Sequence, residues 1–294
     1  MPKKRKAKSI LNKTKRRDAW FLDDYTVNPY SACSFNCLFC FIRGSKYGTH
    51  MGTALEIKTN APELLEKQLS IRARKNEYGF IVLSSATDPY LKAESEYRLT
   101  QQMLEVIWKY KFPVHIITRS DLVIRDLEIL NSINEDAILP SDLAQKLKGT
   151  LVTFSFSTIE DSIAQIFEPG ATPPSARIEA VQKIKESGLK TGISFMPMIP
   201  YITDTTEQLT ASFEVFKKVD VDYILPATIA LYGEGKADSK TLVLGAIEKH
   251  YPELVPKYQR LFSKHNELPA YYREAFDKKM DEMCATYGIK RAII

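Results

Sequence analysis

Six short apolar runs, most of them followed by a stretch of helical character, set the fold class of this chain of 294 residues. The runs lie at 25–28, 79–84, 114–118, 151–156, 191–195 and 221–225, and helical patterns occupy 61–75, 96–110, 122–130, 175–187 and 205–218. Strands that alternate with helices pair in parallel, because each crossover returns the chain to the same end of the sheet. The expectation is an α/β protein in three parts: a basic flexible arm over 1–20, a partial (β/α)6 barrel over 21–232, and a helical C-terminal extension over 233–294 packed on that barrel. Local signals support the boundaries. Asn60 reads as a helix cap with Pro62 in the first turn, and Gly188 ends the helix before it. Residues 131–148 read as an irregular insertion with a second short helix from Pro140. The strand at 151–156 leads into a loop holding Pro169, Gly170, Pro173 and Pro174. A barrel of this kind places its chemistry at the carboxyl ends of the strands.

The first strand delivers Asn28-Pro29-Tyr30-Ser31-Ala32-Cys33-Ser34-Phe35-Asn36-Cys37-Leu38-Phe39-Cys40. Three of the four cysteines sit here in a C-x3-C-x2-C pattern. Three thiolates on one loop can converge on one metal centre, and their softness selects an iron–sulfur cluster, zinc or copper(I). Three ligands to a four-iron cubane leave one iron open for a substrate or cofactor. The rival is a structural zinc site with Cys284 or His50 as fourth ligand. An odd trio does not make a disulfide framework.

Composition limits the partners. A hydrophobic content of 44% and a charged content of 26% are ordinary for a globular protein. No apolar run approaches the roughly 18 residues that would span a membrane. The basic start leads into Lys8-Ser9-Ile10-Leu11-Asn12-Lys13 with no apolar core, unlike a secretion signal, and the expected location is the cytoplasm. Residues 1–17 hold nine basic side chains and no acid, leaving 32 basic against 36 acidic residues elsewhere. An arm of that charge is expected to be mobile and able to meet nucleic-acid phosphates.

Polar residues collect where the strands end. The second strand runs into Ser84-Ser85-Ala86-Thr87-Asp88-Pro89-Tyr90, the third into Thr118-Arg119-Ser120, the fourth carries Ser155 and Ser157, and the fifth enters Met196-Pro197-Met198. Most such hydroxyls serve as helix caps. Arg119 stands out, since a guanidinium at a strand end calls for an anion that fits its fork. Tyr47, Tyr90, Tyr201 and Tyr232 fall in loops expected to ring the mouth. His115 lies within a strand and reads as a packed core residue, His50 as a loop residue, and Cys284 as a buried small hydrophobe.

The cysteine motif, with Phe39 before its last member, is similar to that of the radical S-adenosylmethionine (radical SAM) superfamily. Thr26-Val27-Asn28-Pro29-Tyr30, Thr87-Asp88-Pro89-Tyr90, Ile117-Thr118-Arg119-Ser120, Arg125-Asp126-Leu127, Glu168-Pro169-Gly170, Arg177 and Met196-Pro197-Met198-Ile199-Pro200 resemble the spore photoproduct lyase-like, DNA repair photolyase-like branch, over roughly residues 25–230. The resemblance implies a partial barrel of the radical SAM type. It implies a [4Fe–4S] cluster on Cys33, Cys37 and Cys40 whose open iron chelates S-adenosylmethionine. It places Phe39 and the backbone near Phe41 beside the adenine, Arg119 on the cofactor carboxylate, Thr87 and Asp88 near its amino group or ribose, and Ser155 as a further polar contact. Met196 is taken as a cofactor contact, and Arg119 and Tyr90 as catalytic. The implied chemistry is reductive cleavage to a 5′-deoxyadenosyl radical that abstracts hydrogen from a nucleic acid or nucleic-acid-derived substrate, with a flavodoxin- or ferredoxin-like electron donor. Two alternatives stand beside it: a radical modifier of a peptide or small metabolite, and a zinc-stabilised nucleic-acid-binding module without catalysis. The sequence departs from the branch at two points. Ser85-Ala86-Thr87 stands where spore photoproduct lyase has its hydrogen-donor cysteine, and Phe41 where it has a tyrosine.

Overall fold

The computed structural model describes residues 2–48, 54–83 and 86–294. In chain order the elements are β1 (Lys3–Arg5), β2 (Leu11–Lys13), β3 (Tyr25–Val27), β4 (Tyr30–Ser31), β5 (Glu56–Lys58), α1 (Ala61–Arg74), β6 (Ile81–Leu83), α2 (Glu94–Tyr97), α3 (Leu99–Lys109), β7 (Val114–Thr118), α4 (Leu127–Asp136), β8 (Thr150–Phe156), α5 (Asp161–Phe167), α6 (Pro174–Glu186), β9 (Lys190–Met198), α7 (Thr206–Lys218), β10 (Tyr223–Thr228), α8 (Ser239–His250), α9 (Val255–Leu261) and α10 (Ala270–Tyr287).

β3, β6, β7, β8, β9 and β10 pair in that order, all parallel. Sequential order follows when every right-handed crossover lays its helix on the same face. The result is the expected partial (β/α)6 barrel with a helical C-terminal end. Side-chain alternation divides its two faces. Ile81, Leu83, Val114, Ile116, Val152, Phe154, Ile193 and Phe195 join the outer core with Leu65, Met103, Ile107, Val181 and Phe213 from the helices. Phe195 meets Phe216 edge-on, with centroids 5.2 Å apart. Each such aromatic contributes roughly 1.5–3 kcal/mol by burial. The alternate residues, among them Val82, Ile117, Ser155, Ser194 and Ala227, face inward and line a cavity.

Below that cavity a polar row crosses the barrel. The Tyr223 hydroxyl is 2.6 Å from Thr153 Oγ1, which is 2.6 Å from His115 Nε2, and His115 Nδ1 is 2.8 Å from the Phe21 carbonyl. That carbonyl can only accept, so Nδ1 carries the proton, Nε2 accepts from Thr153, and Thr153 accepts from Tyr223. Gly192 makes room for the row: a Cβ there would stand 2.1 Å from the Tyr223 ring. His115 is thus a packed core residue, as the sequence suggests.

The flexible arm expected over 1–20 requires correction. β1 pairs in parallel with β5 in a small sheet completed by β4, and β2 extends the main sheet antiparallel to β3. Apolar and polar anchors explain this. Ile10 is only 2% exposed, and the Ile10 and Leu11 N–H groups both donate to Gln68 Oε1, at 3.2 and 3.0 Å. Much of the positive charge is paired: Arg5 with Glu56 at 2.6 Å, Arg17 with Asp24 at 2.9 Å and with Asp142 at 2.6 Å. Asn60 does not cap α1, because its side chain both accepts from and donates to the backbone of Ala7.

Other boundaries move for local reasons. The helix expected over 96–110 breaks at Arg98, whose φ is 49°. The break lets the buried Glu94 carboxylate accept from the Thr100 and Gln101 N–H groups at 3.0 and 3.3 Å, capping α3 from the preceding turn. α4 runs on to Asp136 after a 3-10 turn over Asp121–Asp126. Residues 141–146 form hydrogen-bonded turns where a short helix was expected, and α5 occupies part of the expected loop. α8 and α9 pack against the cysteine loop in one apolar cluster with Phe35, Phe39 and Phe167. The Ile224 N–H donates to the Lys290 carbonyl at 2.8 Å, bringing the tail back to the sheet. Among the described residues no helix is long and apolar enough to cross a membrane.

Two outcomes follow. Ile10→Ala is expected to cost about 2–4 kcal/mol in urea unfolding, with deletion of residues 1–17 costing more; a loss below about 0.5 kcal/mol would be the result of an arm that stands free. Burial pushes the His115 imidazole down to about 4 from 6.5. The unfolded chain therefore takes up that proton first, and stability falls as the pH is lowered from 6.5 toward 4. The loss should total roughly 3 kcal/mol, and His115→Gln should flatten that part of the stability–pH curve.

Candidate active site

The cysteine loop is tied at several points. Asn28 Oδ1 accepts from the Ala86 N–H and the Thr87 hydroxyl, both at 3.4 Å, which holds the loop to the end of β6. The Lys58 ammonium donates to the Asn28 carbonyl at 2.6 Å. Ala32 and Asn36 take φ of 63° and 55°, left-handed turns that fold the loop back on itself. Arg43 Nε donates to the Cys37 carbonyl at 3.2 Å, Nη1 to the Ala237 carbonyl at 3.1 Å, and Nη2 to Asn36. On the other side, the Leu38 N–H donates to the Phe167 carbonyl and the Gly170 N–H to the Phe35 carbonyl, both at 2.9 Å. A Cβ on Gly170 would stand 2.5 Å from the Ser34 carbonyl oxygen, so no other residue allows this approach.

A cavity of about 470 Å³ opens between this loop and the strand ends. Cys33, Cys37 and Cys40 line it together with Phe39, Phe41, Thr87, Asp88, Arg119, Ser155 and Met196. Every residue expected to hold metal or cofactor is therefore at one site. Tyr90 is the correction. It is buried in the outer core and does not line the cavity; the Arg125 guanidinium lies 6.0 Å from its ring centroid. Asp88 Oδ1 accepts from the Tyr90 N–H at 2.9 Å, a turn that leaves Asp88 at the cavity and Tyr90 behind it. Tyr232 does line the cavity, while Tyr47 and Tyr201 are exposed outside it. His50, Ser84 and Ser85 lie outside the described residues.

Burial governs the electrostatics. It pushes the Cys33 thiol up to about 12, with Asp88 adding to the rise. It also pushes Cys37 up, against the opposing pull of Arg119. Thiols so desolvated stay protonated until a cation compensates the thiolate. Asp88 is pushed up to about 6 by burial, less than burial alone would give, because the Arg119 N–H at 2.8 Å and the Thr118 hydroxyl at 2.7 Å donate to it. Arg119 crosses the cavity wall with its guanidinium 5.3 Å from the Phe39 ring centroid. Nη1 donates to Glu168 at 2.8 Å and Nη2 to the Met196 carbonyl at 2.9 Å. Burial would push the Glu168 carboxyl up, but Arg119, Arg177 and the Ser157 hydroxyl overcome it and hold the carboxyl below the usual range.

Sequence reasoning assigned no role to Glu168, Arg177 or Arg43. The first two were visible as part of a motif, and their pairing needed the fold. Arg43 had no signal beyond its place three residues after the last loop cysteine.

The residues present fit an iron–sulfur cluster with an anionic cofactor. Three thiols of one loop share a cavity with a guanidinium that keeps N–H groups free of acceptors among the described residues. Two guanidiniums face the Glu168 carboxylate from opposite sides, one of them at the cavity. Cys284 is buried in the outer core among Phe276, Met280 and Ile289 and does not line the cavity, so it supplies no fourth ligand there.

A partial barrel with a three-cysteine loop over the carboxyl ends of its strands defines a class of cluster enzyme. The chain belongs to the radical SAM superfamily, whose family model matches residues 27–213. Its cofactors are accordingly a [4Fe–4S] cluster and S-adenosylmethionine. It is 27% identical over 288 residues to an uncharacterized protein of Mycobacterium tuberculosis, covering 96% of this chain and 79% of that one. It is 24% identical to the radical SAM Nalpha-GlyT isomerase of Pseudomonas phage M6, covering 83% of this chain and 47% of that one. Among solved structures, spore photoproduct lyase complexed with dinucleoside spore photoproduct shares the fold, with a TM-score of 0.64 at 13% identity over 97% of this chain and 78% of that one.

Cys37→Ala is expected to lose most of the iron incorporated on anaerobic reconstitution, and Cys284→Ala to keep it. Iron per chain and visible absorbance measure both. Equal loss in the two variants would place Cys284 at the metal.

Proposed function

We propose that this radical SAM enzyme acts on a nucleic acid or a nucleic-acid-derived substrate. Cys33, Cys37 and Cys40 hold the cluster. Arg119 takes the carboxylate of S-adenosylmethionine, Phe39 and the backbone near Phe41 flank its adenine, and Thr87, Asp88 and Ser155 supply polar contacts. When bound, cluster and cofactor supply a 5′-deoxyadenosyl radical for hydrogen abstraction. The protein's share is to orient the cofactor against substrate and keep water out of the apolar wall formed by Phe35, Val82, Ile117 and Met196.

The observation that carries the substrate class is Trp20. The residue is 43% exposed and lines a second cavity of about 350 Å³, which shares Ala227 and Thr228 with the first. Lys15 and Arg16, just before it, have no ion-pair partner among the described residues. A flat ring a few residues along the chain from unpaired cations suits stacked bases and phosphates. The fold shared with an enzyme complexed with a dinucleoside supports the same reading. The branch's thiol-based hydrogen return has no counterpart in Ser85-Ala86-Thr87, so the outcome of the reaction differs from that of spore photoproduct lyase.

The test is binding and turnover with single-stranded oligonucleotides. Trp20→Ala should weaken binding by about 1–3 kcal/mol, and Lys15→Ala with Arg16→Ala should lower the salt slope by roughly 1.4. Weak, salt-independent binding that neither change alters would favour a peptide or small-metabolite substrate.

A further inference from the structure

We propose that Glu168 is a positioning residue that sets where Arg119 presents its guanidinium, and that residues 167–170 fix the spacing between the cysteine loop and that guanidinium. The inference rests on the reading that Arg119 meets the cofactor carboxylate. Four consecutive residues make both connections. The Phe167 carbonyl and the Gly170 N–H each hold the backbone of the cysteine loop at 2.9 Å. Glu168, between them, holds Arg119 at 2.8 Å. The loop and the arginine otherwise stand on different strands, at the ends of β3 and β7.

Glu168 is itself fixed from two further directions. Ser157, just beyond β8, donates to Oε1 at 2.5 Å, and Arg177 of α6 donates from Nη2 to Oε2 at 2.8 Å. Arg177 also donates to the Ser155 carbonyl, next to the cavity. Glu168 and Arg177 are almost wholly enclosed, at 1% and 0% side-chain exposure. A carboxylate so bound has no freedom to follow Arg119; the arginine must come to it. The Met196 carbonyl takes the second Nη, which fixes the plane of the fork. The Arg119 Nε–H and one hydrogen on each Nη keep no protein acceptor among the described residues, and these remain for an anion. The Arg177 Nε is likewise buried without an acceptor among the described residues.

A merely structural Glu168 would neutralise Arg177 and leave cofactor affinity alone, so the readout is binding. S-adenosylmethionine is titrated into the iron-loaded, reduced protein and followed by the EPR spectrum of the cluster, without substrate. Arg119→Gln and Glu168→Gln should each weaken binding roughly 10–100-fold. For Glu168→Gln the KM for S-adenosylmethionine in 5′-deoxyadenosine formation should rise in proportion, with kcat within about threefold and iron per chain unchanged. Glu168→Gln leaves Arg177 unpaired in the interior; should it fail to fold, the double variant Glu168→Gln with Arg177→Met removes both charges and should show the same weakening. Native affinity in whichever of these folds overturns the proposal. Native affinity in Arg119→Gln would overturn the premise about Arg119, and the proposal with it. Neither result depends on whether the substrate is a nucleic acid.

Discussion

A carboxylate withdrawn from water survives as an anion only when charge and hydrogen bonds replace its hydration. Glu168 has that replacement from Arg119, Arg177 and Ser157. The arrangement draws together the ends of β7 and β8 with α6, and through the neighbouring backbone it reaches the cysteine loop. Remove the anion and two guanidiniums would repel each other across a few ångströms of low-dielectric interior. The cavity wall depends on this group more than on any single apolar contact, since apolar side chains can repack and a buried unpaired charge cannot.

The general plan was open to reading from the sequence because it rests on periodicity and on rare residues. Val114–Thr118 has the bounds expected of it, and the three loop cysteines meet at one cavity as their spacing suggested. What escaped has a common cause. The bend at Arg98 arises from Glu94, whose carboxylate caps α3 only because Tyr30 and Arg125, from remote parts of the chain, hold it in place. Tyr90 looked like a mouth residue because it follows a strand, but the Asp88 turn sends the two neighbours to opposite sides of the wall. Glu168 and Arg43 each take a partner far along the chain, 49 and 194 residues away, and single-sequence periodicity carries no such information.

The basic arm makes the same point with charge. A run of lysines and arginines is commonly solvated and mobile. Here Ile10 and Leu11 interrupt it at the spot where β3 offers an open edge, and Gln68 and Asn60 satisfy the backbone that would otherwise fray. Two apolar residues and two amides outweigh the mutual repulsion of their cationic neighbours. The arm becomes a wall of the barrel, and Trp20 is brought to the second cavity as a result.

The hydrogen-bonded row from Tyr223 to Phe21 has one possible polarity, because it ends on an atom that can only accept. Its members stand on three different strands. A slip of one residue in β8 would bring Val152 or Phe154 to face His115, and a slip in β10 would replace the phenol with Ile224 or Asp222. The first error strands a buried imidazole nitrogen with nothing to bond, and the second leaves the buried Thr153 hydroxyl without the donor it accepts from. The row therefore works as a proofreading mark for strand alignment: a misaligned sheet breaks at least one of its buried bonds, and the chain is left with a single alignment in which the inward face, and the cavity built on it, is complete.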